Sequence, residues 1–222
     1  MKASVVIPVY NERDTVEHLV DVVKRVPVEK EIIIVDDGSS DGTRDRLPLI
    51  KDVTVILHDV NQGKGTAIRT GIKAATGDVI IIQDADLEYD PSEYPQLLAP
   101  FADPSVQAVF GSRFKGGGDF LFLSKMANVV LTFLTRLLFG GRISDMETCY
   151  KFVRRDVMNG LNLVSRRFEI EPEITCKLLK RHAKIVEVPI TYRARKTTEG
   201  KKIGVKDGLV AVGQILRWRF RD

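Results

Sequence analysis

Three short apolar runs, each ending in acidic or turn residues, constrain this chain more than any other feature. Ser4–Pro8 (SVVIP) leads into Val9-Tyr10-Asn11-Glu12, Glu31–Val35 (EIIIV) into Asp36-Asp37-Gly38, and Val79–Gln83 (VIIIQ) into Asp84-Ala85-Asp86. Apolar runs without polar alternation read as strands buried on both faces, and helices between them favour a mostly parallel sheet covered on each side. Val16, Leu19, Val20 and Val23 share one face of a helix expected over Thr15–Arg25, with Asn11 as its cap. A second helix is expected over Lys64–Ala75, closed by Gly77. Val53–Leu57 and Val106–Gly111 read as further strands. Open sheets of this kind bind ligands beyond the carboxyl ends of their strands. One edge of the sheet should therefore gather the acidic and turn residues.

The second half is less regular. Phe120–Gly140 is strongly apolar, Asp145–Val153 reads as a strand and Ile174–Arg181 as a helix. Ile185–Tyr192 reads as a strand, Arg193–Lys206 as a basic loop and Asp207–Phe220 as an amphipathic helix. A chain of 222 residues buries roughly 70% of its unfolded surface and needs no disulfide or metal to hold it together. Cys149 and Cys176 are far apart and outside any C-x-x-C, so a reducing, cytoplasmic setting is expected. The apolar run at the amino end stops at Pro8, too short for a signal peptide. A net charge of +4 points to anionic partners such as phosphates, acidic membrane or nucleic acid.

Asp84 and Asp86 carry the chemistry. Residues two apart in a strand point the same way, and two carboxylates on one side repel unless a cation sits between them. Hard oxygen ligands suit Mg²⁺ or Mn²⁺, and Mg²⁺ completes its shell with water and substrate phosphates. Glu88 is a further ligand or a hydrogen-bond acceptor beside it. In Asp36-Asp37-Gly38-Ser39-Ser40-Asp41-Gly42, the glycines supply turns, and an Asp at a strand end suits a base amide or ribose hydroxyl. Asn61-Gln62-Gly63-Lys64-Gly65 opens the next helix, where amide groups and Lys64 favour phosphate. It is not a P-loop: His58 stands at the first glycine position, and Gly65 follows Lys64.

Taken together, SVVIPVYNE, IIIVDDGSSDGT, NQGKGTAIRTG, DADLEYDP and GSRF resemble the family 2 glycosyltransferases of GT-A fold. DMETCYK, FEIEPEI, EVPITYRAR and EGKKIGVKDG look like the polyprenyl-phosphate branch, the dolichol-phosphate mannosyltransferases and their bacterial relatives. The resemblance covers nearly the whole chain. It implies one GT-A domain, with residues 1–113 forming a nucleotide-sugar-binding half and 114–222 an acceptor-binding extension. It places Pro8, Tyr10, Glu12 and Asp37 around the nucleoside, Lys64 near the base and Asp84 at the ribose or supporting the site. Asp86 and Glu88 would hold the metal, and Arg113 would meet a phosphate. Asp145 matches the Asp ahead of the family's T/S-G-F stretch, here Thr148-Cys149-Tyr150. Ser124 and Asn128 match an S-x-x-x-N on the acceptor side. Where relatives carry an Arg four residues before that Ser, this chain has Phe120. Arg195, Lys201 and Lys202 are then the candidates for the acceptor phosphate.

The implied reaction moves a hexose, with inversion, from GDP-mannose or UDP-glucose to a polyprenyl-phosphate-type lipid. A phosphate acceptor is already anionic and needs positioning more than a base. His18, His58 and His182 fall outside the motifs and read as ordinary surface or core residues. Leu121–Phe139 spans roughly 28 Å as a helix, yet Ser124, Lys125, Asn128, Thr132, Thr135 and Arg136 fall within an arc of about 120°. Two readings stay open: an interfacial helix with its apolar face to lipid, or a core helix with one wet stripe. The tail Arg217-Trp218-Arg219-Phe220-Arg221 suits a headgroup interface or a helix cap. Expected partners are a nucleotide-diphosphate sugar, a polyprenyl-phosphate-like lipid and the inner membrane face, reached directly or through a membrane-spanning protein. The competing readings are transfer to a saccharide or other hydroxyl, a sugar nucleotidylyltransferase, and a nucleic-acid-binding domain. The second lacks its Gly-rich amino-terminal loop here, and the third leaves the acidic strand ends unexplained.

Overall fold

A computed structural model describes residues 1–120, 122–194 and 205–220, with the backbone alone at 123 and 205–209. The strands are β1 (Ala3–Val9), β2 (Lys30–Asp36), β3 (Thr54–Leu57), β4 (Val79–Ile82), β5 (Ala108–Ser112), β6 (Lys151–Arg154) and β7 (Ile185–Pro189). The helices are α1 (Val16–Arg25), α2 (Thr43–Arg46), α3 (Lys64–Ala74), α4 (Tyr94–Leu98), α5 (Arg113–Gly116), α6 (Phe122–Phe139), α7 (Arg155–Gly160), α8 (Ile170–Lys180) and α9 (Val205–Phe220). The seven strands form one sheet in the order β3-β2-β1-β4-β6-β5-β7. β1, β2, β3 and β4 are mutually parallel, and β5 is parallel to β7. β6 runs antiparallel to both its neighbours. The α/β, mostly parallel sheet expected from the apolar runs is thus present, and β6 from the second half closes the gap between β4 and β5.

The apolar runs are buried as the lack of alternation requires. Every residue of β4 is buried, as are Val5, Val6, Ile7 and Ile32–Val35. Val16, Leu19, Val20 and Val23 of α1 pack onto this layer.

Several local expectations are corrected. Asn11 does not cap α1: it has φ 54°, and its Oδ1 accepts from the Ser40 amide at 2.9 Å. The residue preceding α1 is Thr15, whose hydroxyl donates to Glu12 instead. Gly77 does not close α3, which ends with the Ala75 amide on the Ile72 carbonyl. Gly77 instead lies against the Lys2–Ala3 backbone, where a Cβ would come within 2.8 Å. Asp84 and Asp86 lie past the end of β4, so a turn with Leu87 at φ 62°, not strand alternation, brings them together. Only the carboxyl end of the expected Asp145–Val153 strand joins the sheet, as β6 (Lys151–Arg154), since the loop before it wraps the Arg113 site.

The 120–140 segment forms α6, whose orientation in the fold is defined by its buried and exposed side chains. Asn128, Thr132 and Thr135 of α6 point inward and are buried. Phe122, Met126, Val129, Val130, Phe133 and Leu137 face outward, with Phe133 64% and Leu137 69% exposed. A core helix with that whole stripe wet does not fit this orientation: the middle of the polar arc faces in, and Ser124, Lys125 and Arg136 at its ends are exposed. In α9, Trp218 is buried beneath the Lys177 ammonium at 4.2 Å, whereas Phe220 is 82% exposed. Among the described residues, no helix is long and apolar enough to cross a membrane.

Glu31 ties down the amino edge of the sheet. It accepts from Lys2 Nζ at 2.7 Å, Ser4 Oγ at 2.5 Å and the Thr76 amide at 2.6 Å. Burial acts to raise its pKa, but these donors outweigh it and hold the carboxyl at about 2, below the ordinary 4.5. A depressed carboxylate contributes stability above its ordinary range and loses it as pH falls toward the folded value. Urea unfolding of E31Q and wild type should therefore differ most at neutral pH, with the gap closing between pH 4.5 and about 2. A gap independent of pH would contradict this.

Candidate active site

The parallel strands deliver their loops to one edge, and that edge is stitched together by side chains. The Asn11 amide donates to Ser39 Oγ at 2.9 Å, and the Arg13 amide donates to Asp41 at 3.2 Å. These bonds lock the loop after β1 to the loop after β2. Gly38, at φ 75°, lets the second loop pass the Val60–Asn61 backbone, where a Cβ would come within 2.6 Å. A cleft of about 500 Å³ opens between them, lined by Asn11, Glu12, Arg13, Asp41, Asp86 and Arg193 among others. Tyr10 is 37% exposed at the same edge, and Pro8 is half-buried within β1.

Asp37 is placed differently from its expected role at the nucleoside. It is buried, accepting from the Gln62 amide at 2.9 Å and the Gly63 amide at 2.7 Å, and pairing with His58 Nδ1 at 2.8 Å. Its carboxylate therefore anchors the loop ahead of α3. The same bonds turn the Gln62 and Gly63 amides away from any phosphate. The α3 amino end is also covered: a Cβ on Gly65 would lie 2.6 Å from the Ser165 carbonyl oxygen. Lys64 reaches Asp84 instead of a base, at 2.6 Å and 2.9 Å to its two oxygens. His58 is a core residue, held also by Thr70 Oγ1 at 3.0 Å.

The Asp84–Glu88 loop is pinned from below. Gln83, fully buried, accepts at Oε1 from the Tyr94 and Tyr150 hydroxyls at 2.7 and 2.8 Å. Its amide nitrogen donates to the Asp84 carbonyl at 2.9 Å. Asp86 Oδ1 accepts from the Glu88 amide at 3.2 Å. Burial, and then the Asp84 and Glu88 carboxylates, push the Asp86 pKa up to about 7. A carboxyl raised by burial and then by two neighbouring carboxylates makes this corner a candidate for positive charge. Among the described residues, no three His, Cys, Asp or Glu side chains are grouped so that they could hold a metal ion. An open, oxygen-only site with one or two carboxylates is what Mg²⁺ uses when substrate phosphates complete its shell. The residues fit such an ion.

Beside this corner, Arg113 and Asp145 form a buried pair. Arg113 donates through Nε at 2.8 Å, Nη2 at 2.7 Å and its amide at 3.0 Å. Asn128 Nδ2 adds a bond to Asp145 at 2.6 Å. Burial acts to raise the Asp145 pKa, but the Arg113 guanidinium overrides it and holds the carboxyl low. Asp145 thus orients Arg113, and Asn128, expected at the acceptor, completes that pair from within the protein. Ser124 is exposed on the first turns of α6. Arg195, Lys201 and Lys202 lie outside the described residues.

Sequence reasoning missed Tyr192. Its hydroxyl donates to Glu88 Oε2 at 2.7 Å, and its ring lies 4.9 Å from the Arg113 guanidinium carbon. It links the acidic corner to the arginine. Within an apolar run it looks like any strand aromatic. Glu171 and Lys151 were also missed, because one sits in a helical pattern and the other among strand residues.

Residues 4–161 match the model for glycosyl transferase family 2, and the chain belongs to that family. It is 31% identical over 230 residues to a dolichol-phosphate mannosyltransferase of Pyrococcus furiosus, covering 98% of this chain and 64% of that protein. It is 28% identical over 233 residues to an undecaprenyl-phosphate mannosyltransferase of Micrococcus luteus, covering 98% and 94% respectively. The chain thus spans less than two thirds of the archaeal relative and nearly all of the bacterial one. In fold it resembles glucosyl-3-phosphoglycerate synthase of Mycobacterium tuberculosis bound to Mn²⁺, UDP and phosphoglyceric acid. That likeness has a TM-score of 0.78 at 19% identity and covers 100% of this chain and 79% of the other. It supports the GT-A architecture.

Removing one partner of a buried ion pair strands the other charge and costs ~3–5 kcal/mol. D145A should lose stability on this scale in urea titrations, because Arg113 has lost its carboxylate. A loss below about 1 kcal/mol would show that water replaces Asp145 without penalty.

Proposed function

We propose that this protein is an inverting, metal-dependent glycosyltransferase that moves a hexose from a nucleotide-diphosphate sugar to a polyprenyl-phosphate-type lipid. The observation that carries the donor half is the loop after β4, which brings Asp86 into the lining of the cleft beside the Asp84 and Glu88 carboxylates. Asp86, with Glu88, would hold Mg²⁺ or Mn²⁺. When bound, the ion supplies charge neutralisation to the departing diphosphate. Glu12 lines the cleft where the nucleoside would enter, and Tyr10 and Pro8 precede it on the same edge. Lys64 fixes Asp84, and Tyr192 fixes Glu88. Arg113, held by Asp145 and flanked by the Tyr192 and Phe120 rings, is the cation proposed to meet a phosphate.

The acceptor half rests on the relatives named for polyprenyl-phosphate substrates and on α6. A helix with apolar side chains outward and polar ones directed to the Arg113–Asp145 pair suits a membrane interface. Phe220 and the exposed Arg217 and Arg219 of α9, which packs on α6, extend that face. The protein would then act peripherally at the membrane, on the face where nucleotide sugars are made. Residues 1–113 would serve the donor and 114–222 the acceptor. Arg195, Lys201 and Lys202 remain the proposed cations for the lipid phosphate.

Labelled GDP-mannose and UDP-glucose, offered with Mn²⁺ and a short polyprenyl phosphate, should yield labelled lipid. Label entering only a saccharide or phosphoglycerate hydroxyl would overturn the acceptor assignment. Flotation with anionic vesicles should recover wild type, and F133E should reduce recovery severalfold. Equal recovery of F133E would move membrane contact to another surface or to a membrane-spanning partner.

A carboxyl raised from 3.8 to about 7 contributes stability below its ordinary value and loses it as pH rises through the folded value. Metal-free D86N should therefore match or exceed the wild-type Tm at pH 8, where the wild type carries the repelled charge. Mn²⁺ should raise the Tm of wild type and not of D86N. Equal Mn²⁺ stabilisation of both would remove Asp86 from the metal role.

A further inference from the structure

Behind the acidic corner runs a line of alternating buried charges. Lys151 of β6, fully buried, places Nζ 2.6 Å from Glu171 Oε2. It also donates to the Thr148 carbonyl and lies 5.3 Å from the Phe110 ring centroid. Glu171, in the first turn of α8, presents its other oxygen to Lys64 Nζ at 3.4 Å, an ion-pair distance without hydrogen-bond alignment. Lys64 then holds Asp84, two residues before Asp86. Four charges from β6, α8, α3 and the loop after β4 thus form one chain. It reaches from the middle of the sheet to the donor edge.

Burying a lysine with no exposed surface is costly, and a well-packed apolar pair of similar volume would serve stability as well or better. The placement has a consequence that an apolar pair would lack. Glu171 offsets part of the Lys64 charge, so the ammonium can sit on Asp84 while cancelling less of the negative charge that the Asp84–Asp86 corner presents. Burial acts to lower the Lys64 pKa, but Asp84 and Glu171 keep it protonated. Lys151 in turn holds the Glu171 carboxylate in place.

We propose that Glu171 and Lys151 are positioning residues that act through Lys64 and Asp84 to keep the acidic corner attractive to a divalent cation. This inference rests on the metal reading of Asp86 and Glu88. Neither Glu171 nor Lys151 touches the ion. Glu171 sets the net charge beneath it, and Lys151 fixes Glu171.

The test is Mn²⁺ binding, followed by calorimetry with UDP present, alongside Tm by circular dichroism. The variants are E171Q, E171D and the apolar double variant K151M/E171L. E171Q keeps the shape and removes the charge, and should weaken Mn²⁺ binding about tenfold through the uncompensated Lys64 charge. E171D should recover part of that loss. K151M/E171L should restore the Tm toward wild type while leaving Mn²⁺ binding weak, a split that a merely structural pair would not produce. Folded E171Q with wild-type Mn²⁺ affinity would overturn the proposal, as would a double variant that recovers stability and affinity together. Loss of fold in both E171Q and the double variant would assign the pair to stability alone and also overturn it. Failure of wild type itself to bind Mn²⁺ would sink the metal reading, a different result from wild type and E171Q binding alike.

Discussion

The structure is organised by one electrostatic constraint: a parallel sheet gathers carboxylates at the carboxyl edge of its strands, and each has to be reconciled with its neighbours. Asp36 is met by Arg44 at 2.9 Å, Asp37 by His58, Asp84 by Lys64 and Asp145 by Arg113. These pairs do more than neutralise. All but the Asp36–Arg44 pair join segments distant in sequence, so the charges that threaten the edge also fix its shape. At Asp86 the surroundings act the other way, because burial and the Asp84 and Glu88 carboxylates resist its ionisation. A cation relieves that resistance, and a cation bound there meets whatever anion enters the cleft. The binding edge and the fold are in this sense the same set of interactions.

The acceptor side follows from the same logic. Asp145 is buried and low in pKa because Arg113 and Asn128 satisfy it. Asn128 comes from α6, and Thr132 of that helix accepts the Met146 amide at 3.1 Å. Asn128 and Thr132 commit the middle of the polar arc to the site, which leaves Met126, Val129, Val130 and Phe133 outward beside the exposed Lys125 and Arg136. The outward apolar face is thus the geometric complement of the Arg113–Asp145 pair.

Much of this was legible in the residues, and the misses have physical causes. Apolar runs without alternation identify buried parallel strands, because two covered faces leave no place for polar residues. Acidic strand ends then fall at one edge by topology alone. Cap assignments failed where a long-range partner outbid a local one: Asn11 serves Ser40, and Gly77 serves the β1 backbone. β6 was misjudged in extent because its flanking residues, Asp145 through Tyr150, are apolar or buried for reasons of the Arg113 site and not of the sheet. The amides of Gln62 and Gly63 looked ready for phosphate but answer to Asp37, which pattern alone cannot reveal. Tyr192, Glu171 and Lys151 carry no local signal, since a buried lysine resembles a surface lysine until the chain is folded. The orientation of α6 was undecidable from its arc of polar residues, because the arc is the same whichever way it faces.

The central claim is that a divalent cation at Asp86 and Glu88 grips the donor diphosphate. Anomalous diffraction at the manganese edge, from crystals soaked with Mn²⁺ and UDP or GDP, addresses it directly. The account predicts one strong peak between the two carboxylates and the diphosphate oxygens. A nucleotide seated in the cleft with no peak there, its phosphates held by basic side chains alone, would contradict it.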